Sequence, residues 1–562
     1  MVKQVLRIFQ RESKNLSDAA LVLGIFTLLS QLLGLVRDRL LAHYVGPGPV
    51  LDVYYAAFRL PDFLYISIAS LASVTVLLPF LSARMQQGND QSEARAFFGR
   101  VFSALSIVLV GVSILLFFIM PWLGPVLVPG FSGAEQDLLI TVSRIMLLSP
   151  ILMGMSNMLG AATQLFKNFT LFALSPILYN FGIIIGVLVL YPIWGGPGLA
   201  LGVILGAVMH LMIQVPYLAG KHFLPTLSLR LAWRELAEVV QTSIPRTLGL
   251  AIGSLTLIVF VAMISKLGEG AISLFQFSQN LQAVPVALIG ASFSVASFPI
   301  LVGLFQKGNI SEFLSSVSTA VRKVIFWTLP FVALFIVLRA HVVRVVYGTQ
   351  ALTWESTRLV AALLAIFVIG IIAQNLVLIF TRSFYAAGKT WVPLIINVLC
   401  EALKIVFALL FLNLFSQGGI FSGVFAQMLR ISDVPGVELL AFPIAYVLGS
   451  WINMLIHTIS FRWDFGRLDK GLMFDTGKAF LGALAAAGGS WAGLRFFDPI
   501  FMSSTFWGVL GQGLFAGTLG ILAAIFVLWV LRSRDLIELW NSIHRRFWKT
   551  SVVSEPTETT PV

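Results

Sequence analysis

Several stretches of this chain run for about twenty residues with no charge, among them GVSILLFFIMPWLGPVLV from position 111 and VAALLAIFVIGIIAQNLVLIF from position 360. A helix needs about 20 mostly apolar residues to cross about 30 Å of hydrocarbon. In lipid every backbone polar group must be satisfied within the chain, which leaves helices or closed barrels. The runs are continuous rather than alternating, so a barrel is excluded. Fourteen spans are expected, at about 19–45, 51–83, 101–123, 138–164, 170–192, 198–220, 243–265, 271–304, 320–347, 359–387, 391–414, 438–461, 478–497 and 506–531. The fold class is therefore an all-α polytopic membrane protein. Composition agrees: 58% of residues are hydrophobic and 11% are charged, against about 25% charged in soluble domains. That excludes a soluble enzyme, a nucleic-acid binder and a disordered chain.

The positions of the basic residues give an orientation. With the N-terminus in the cytoplasm, 26 of the 37 Lys and Arg fall in cytoplasmic segments, six in outer segments and five inside spans. This positive-inside pattern, with an even span count, puts both termini inside. The net charge of +12 is then a topology signal and implies no nucleic-acid partner. The poorest fit is 339–358, with Arg339, Arg344 and Arg358 outside; it reads as the start of a pore-facing helix or a misplaced span. Loops are short, the longest being 221–242, 305–319, 415–437 and 462–477. Residues 1–18 form a basic amphipathic tail with no cleavage site. In 535–562 an amphipathic stretch (Leu536, Trp540, Ile543, Phe547) precedes a polar, disordered end. The single cysteine, Cys400, rules out an intrachain disulfide. The six histidines show no metal-ligand spacing, so no metal or cofactor is expected.

Charged groups inside the bilayer are costly and mark function. They concentrate in the first two spans. Gln31 and Asp38 share a helix face, and Arg37 lies about 100° round from Asp38. Asp52, Arg59 and Asp62 flank Pro61, which together with the length of span two implies a bend. One reading is a water-filled cavity whose Arg37 and Arg59 bind phosphate through the planar guanidinium fork. The other is a set of internal ion pairs, Arg37 or Arg39 with Asp52 and Arg59 with Asp38, that pin two helices together. Glu401 and Lys404, three apart, form an ion pair on one face or look into a groove. Gln374 and Asn375 read as interhelical hydrogen bonders.

Spans two and eight line up loosely (FRLPDFLYISIASLASVTVLLPFL with QNLQAVPVALIGASFSVASFPILV) and stand six spans apart. Two six-span halves, 19–220 and 243–461, plus an extra pair, 478–531, is the simplest description. Such repeats in transporters hold substrate at their interface.

The stretch LGLVRD (Leu33–Asp38), the glycine turn Gly46–Gly48, Asp52 and the block AFRLPD (Ala57–Asp62) resemble the MurJ (MviN) lipid II flippases, within the multidrug/oligosaccharidyl-lipid/polysaccharide exporter superfamily. Span number and order resemble that family over nearly the whole chain; the specific motif covers about residues 30–85. The resemblance implies two six-helix lobes around a central cationic cavity for the diphosphate and sugar-peptide head, and a groove for the polyprenyl tail formed by the last two spans. Arg37 matches a cavity arginine of the family, Asp52 an acidic position and Arg59 a basic one. There are departures. Gln31, Tyr65 and Asn280 stand where the family has arginine, and Ser70 near an acidic position. Either the head group is recognised differently, or the cargo is another lipid-linked or amphiphilic compound.

The expected function is flipping of a polyprenyl-diphosphate-linked cell-wall precursor across the bacterial inner membrane by alternating access. Arg37 and Arg59 would bind phosphate, Asp38 and Asp52 would orient those arginines, and Gln31, Tyr65, Ser273 and Asn280 would line the cavity. Expected partners are the lipid-linked precursor, membrane lipids and cell-wall synthesis proteins. No GxxxxGK[ST] loop is present, so ATP within this chain is not the driver. A cation exporter would place unpaired carboxylates in the cavity, whereas Asp38 and Asp52 have arginines near them in sequence. A membrane glycosyltransferase would need an Asp-x-Asp or a large catalytic loop, and the chain has neither. A non-transporting scaffold would leave Arg37 and Arg59 as helix pins.

Overall fold

The computed structural model describes residues 16–548 except 73, 88–90, 227, 229–232 and 502–504. Residues 1–15 of the expected tail 1–18, and the polar end 549–562, lie outside the described residues. The helices in chain order are α1 (Leu16–Tyr44), α2 (Pro49–Ser67), α3 (Val74–Gln87), α4 (Ser92–Leu127), α5 (Gly133–Leu165), α6 (Phe169–Trp194), α7 (Gly196–Gly220), α8 (Trp233–Ile264) and α9 (Ala271–Gln306). They continue with α10 (Ile310–Tyr347), α11 (Trp354–Ala386), α12 (Trp391–Ser416), α13 (Ile420–Leu429), α14 (Val437–Phe465), α15 (Leu472–Phe497), α16 (Phe506–Val530) and α17 (Arg534–Trp548). Eleven helices among the described residues are long and apolar enough to cross a membrane. The three further expected spans coincide with α1, with α2 plus α3, and with the glycine- and alanine-rich α15.

Local chemistry sets the helix ends. Asn168, Thr353 and Thr505 each accept a hydrogen bond from a first-turn backbone N–H of α6, α11 and α16, satisfying donors the helix cannot. The bend expected in span two is a full break: α2 stops at Ser67, a 3-10 turn covers Ala69–Ala72, and α3 begins at Val74. Ser67 Oγ bonds back to the Phe63 carbonyl at 2.5 Å, a pattern that bends helices. The axes of α6 and α9 each carry a π-helical turn, Gly186–Leu190 and Val286–Ala291, the second directly after Pro285.

Several segments expected as loops are helical. Arg339 and Arg344 lie in the last turns of α10 and Arg358 in the first of α11, so the connection there is only 348–353. Residues 310–319 and 233–242 belong to α10 and α8. Within 415–437 lies the short apolar helix α13. The turn after it is tied to α11, because Arg358 donates to Asp433 Oδ2 at 2.7 Å and Oδ1 at 2.6 Å. That hydrogen bond holds the Asp433 carboxyl below its ordinary range.

Packing differs between the two ends of the helices. At the end away from the basic loops, one core cluster runs through both halves of the chain, from Leu41, Leu51 and Val128 to Phe260, Val343 and Leu440. At the basic-loop end the core is divided. One cluster holds Phe97, Phe98 and Phe223, and another Phe313, Phe384 and Phe461. Within the first half, α6 and α7 touch backbone to backbone. A Cβ on Gly182 would stand 2.3 Å from Gly206 Cα, and one on Gly186 2.5 Å from Gly202 Cα. This is the small-xxx-small contact that lets helices associate in lipid. Helices α15 and α16 pack on each other and on α10. At the basic-loop end Arg322 of α10 is 6% exposed. It lies 3.7 Å from Asp475 of α15, and 3.4 Å and 3.5 Å from Asp535 and Glu538 of α17. Helix α17 is thereby pinned across the end of the α15–α16 pair.

Candidate substrate cavity

Four helices bring the polar residues of the first two spans together. Arg37 of α1 donates through Nε and Nη2 to Asp38 Oδ1 at 2.9 and 2.7 Å, and through Nη1 to Asn180 Oδ1 of α6 at 2.9 Å. Asp38, 2% exposed, accepts on its other oxygen from Asn280 Nδ2 of α9 at 2.9 Å. Gln276, one turn before Asn280, donates to Asn280 Oδ1 at 2.5 Å and accepts from Arg59 of α2. The result is a continuous polar chain, Asn180–Arg37–Asp38–Asn280–Gln276–Arg59. Two of its links, Asp38–Asn280 and Gln276–Arg59, join the first half of the sequence to the second.

The chain borders a cavity of about 240 Å³ lined by Arg37, Arg59 and Asp62, the aromatic rings of Tyr54, Tyr55 and Tyr179, and the amides of Gln276 and Asn280. Arg59 Nε and Tyr55 Oη are buried and have no hydrogen-bond partner among the described residues. Neither reading of the carboxylates holds unchanged. Asp38 pairs with its own neighbour Arg37, not with Arg59, so both arginines reach the cavity.

Asp52 does not orient an arginine. It accepts from Gly270 N at 2.7 Å and from Ser273 N and Oγ at 2.8 and 2.5 Å, capping the start of α9. Ser273, fully buried in that cap, does not line the cavity. Arg39 points the other way and donates to the Val345 carbonyl of α10 at 2.5 Å. Tyr65 accepts from Asn157 of α5 at 2.6 Å, and Gln31 is half-buried on α1; neither is among the residues lining this cavity. The side chain of Ser70 is outside the described residues.

Glu401 and Lys404 form the ion pair at 2.6 Å, with Lys404 Nζ also 4.2 Å from the centre of the Tyr446 ring. Gln374 donates to Gln282 and Asn375 to Thr328, both at 3.1 Å, as expected of interhelical bonders. Sequence reasoning missed Asn180, Gln276 and the three tyrosines. Gln276 was legible in principle, since it stands one turn from Asn280 on a polar face of an otherwise apolar helix. A second, apolar cavity of about 280 Å³ lies between α10, α15, α16 and α17, walled by Phe326, Trp327, Leu334, Ala486, Leu528 and Leu536.

Comparison with known proteins bears on this arrangement. Residues 41–429 match the lipid II flippase MurJ family. The chain is 27% identical over 412 residues to the probable lipid II flippase MurJ of Rhizobium tropici, covering 71% of this chain and 76% of that protein. It is 26% identical over 400 residues to the lipid II flippase MurJ of Burkholderia cenocepacia, covering 68% and 76%. Among solved structures it resembles a lipid II flippase MurJ in an inward closed conformation, with TM-score 0.72 and 19% identity over 92% of this chain and 100% of that one. It also resembles an inward-facing multidrug resistance MATE family transporter of the MOP superfamily, with TM-score 0.61 and 14% identity over 78% and 94%. These two structural likenesses establish a shared fold. With the family match extending over more than half of its length, the chain belongs to the lipid II flippase MurJ family.

Proposed function

We propose that this chain moves lipid II, a polyprenyl-diphosphate-linked cell-wall precursor, from the inner to the outer leaflet of a bacterial cytoplasmic membrane by alternating access. The observation that carries this is the pair Arg37 and Arg59 on one cavity, with Arg59 Nε buried and unmatched. A buried guanidinium donor without a partner is expensive, and a phosphate oxygen is the acceptor whose geometry it fits.

The polar chain suggests how binding couples to movement. A diphosphate that takes the Arg37 fork competes with Asp38, and one that takes Arg59 competes with Gln276. The second competition breaks the Gln276–Arg59 link between the halves, and the first removes the partner that positions Asp38 for its link to Asn280. A ligand shifts an equilibrium only by its differential affinity for the two states, and those links supply that difference. The cavity, about 240 Å³, takes the diphosphate but not the sugar-peptide head. Room for the head comes from the basic-loop end, where the core is already divided. In this reading the basic loops are cytoplasmic and both termini lie inside. The fourteen spans form two six-span halves, 19–220 and 243–461, with 478–531 as the tail groove and the apolar cavity as its inner part. The chain acts as a transporter without catalysis, metal or cofactor. Its energy comes from a membrane or ion gradient, and it has no nucleic-acid partner; cell-wall synthesis proteins are its protein partners.

Complementation tests this. In a bacterium depleted of its resident lipid II flippase, the parent chain restores growth, and the Arg37→Ala/Arg59→Ala variant at equal membrane abundance does not. Full expression of the parent without rescue sinks the assignment, and rescue by the double variant sinks the arginine mechanism.

A further inference from the structure

The described residues also line a cavity larger than the central one. About 830 Å³ opens at the end of the helices away from the basic loops, between α1, α10, α11 and α16. Arg39, His43 and Arg344 line it, and among the described residues no aspartate or glutamate does. Two guanidiniums on one cavity raise the local concentration of anions. Both guanidiniums are held in place by aromatic faces: Arg39 lies 4.9 Å from the centre of the Phe506 ring, and Arg344 5.5 Å from that of Trp354. Arg39 is anchored further by its Nη1 bond to the Val345 carbonyl. The first turns of α11 and α16 also open here, through Trp354 and Phe506, and the positive ends of those helix dipoles add to the same field.

What this cavity adjoins narrows the ligand. Helix α16 begins at its wall, with Phe506 and Val509, and ends at the apolar cavity, with Ala524 and Leu528. Helix α10 does the same in the reverse direction, from Phe326 and Leu334 to Arg344. One pair of helices therefore carries an apolar cavity at one end and a cationic cavity at the other. That is the shape of an amphiphile whose chain lies along α10 and α16 and whose anionic head sits between Arg39 and Arg344.

We propose that this outer cavity is a phosphate-binding site for a membrane lipid, separate from the Arg37–Arg59 cavity, which receives the diphosphate head of the translocated lipid as it leaves. The site rests on the flippase reading, and on the Tyr44 end of α1 being the outer one. A volume in the range of ordinary ligand sites gives the emerging head group space that the central cavity lacks.

The test uses the full chain in neutral phosphatidylcholine nanodiscs, with Arg37→Gln/Arg59→Gln as background so that the central cavity is muted. Geranylgeranyl diphosphate and dioleoylphosphatidylglycerol are titrated separately. Adding Arg39→Gln/Arg344→Gln is expected to weaken geranylgeranyl diphosphate binding about tenfold or more, as for loss of charge-assisted phosphate bonds. A smaller effect on phosphatidylglycerol supports the prenyl diphosphate as the occupant. Equal losses support phosphate recognition with ordinary anionic lipid as its source. Unchanged affinity for both lipids overturns the proposal, as does complete loss of binding in the background before Arg39 or Arg344 is touched. Arg344→Gln alone leaves the Arg39–Val345 bond intact and keeps the result readable if the fuller variant does not fold. Because the readout is binding, it can fail while complementation succeeds, and the reverse.

Discussion

Asp52 and Arg59 stand seven residues apart on α2 and differ in what they serve. Asp52 satisfies three donors at the start of α9, whereas Arg59 holds one side-chain amide and faces a cavity with a donor to spare. Asp52→Ala strands those three donors and is expected to cost about 3 kcal/mol or more of stability, read as a lowered unfolding midpoint, while the folded fraction binds lipid II with near-parent affinity. Arg59→Gln is expected to leave the midpoint near the parent value and weaken lipid II binding about tenfold. The reverse pattern would remove Arg59 from the binding site. Both residues were conspicuous in the sequence as charges in an apolar run. Their roles were not legible, because the cap partners of Asp52 lie more than two hundred positions away and nothing local announces them. Arg37 was easier, since its partner Asp38 is its neighbour.

Helices carry a different kind of information. Their order and approximate limits followed from the length of apolar runs, because lipid forces the backbone to satisfy itself. Their ends followed less well: 310–319, 233–242 and 420–429 are helical although polar or short. The interruptions followed least. Pro61 announced a bend in span two, yet the break falls at Ser67, where a serine bonds back along the helix. The α6–α7 contact rests on the glycines at 182, 186, 202 and 206, a spacing of four on each helix that apolar run length does not reveal. Gly202→Leu would drive a side chain into Gly186 Cα, 2.4 Å from the position of an added Cβ. Gly111→Leu on α4 would meet nothing within 4 Å. The first is expected to abolish accumulation of monodisperse protein in the membrane and the second to leave it unchanged. Equal accumulation of both variants would show that the α6–α7 contact is not needed.

At the scale of the whole molecule, one core joins the two proposed halves away from the basic loops, whereas at the basic-loop end the cores are separate and α8 reaches the first of them through the Arg100–Glu235 pair at 2.7 Å. The joined end is held by the Asp52 cap and by Arg39 on the Val345 carbonyl. Between the ends, the Asp38–Asn280 and Gln276–Arg59 links cross the divide at the cavity itself. The six-span offset between Pro61 and Pro285 hinted at two halves, but how they meet depends on contacts between residues hundreds apart in sequence. Periodicity and composition do not encode such contacts. Transport therefore turns on whether a diphosphate at Arg37 and Arg59 moves the halves. Spin labels placed on exposed Tyr44 and Ile420, in a Cys400→Ser background, report the separation at the joined end by pulsed electron resonance. Saturating lipid II is expected to create a longer-distance population in the parent chain and none in Arg37→Gln/Arg59→Gln. The same shift in that variant, or no shift in a parent that has bound lipid II, would contradict the account.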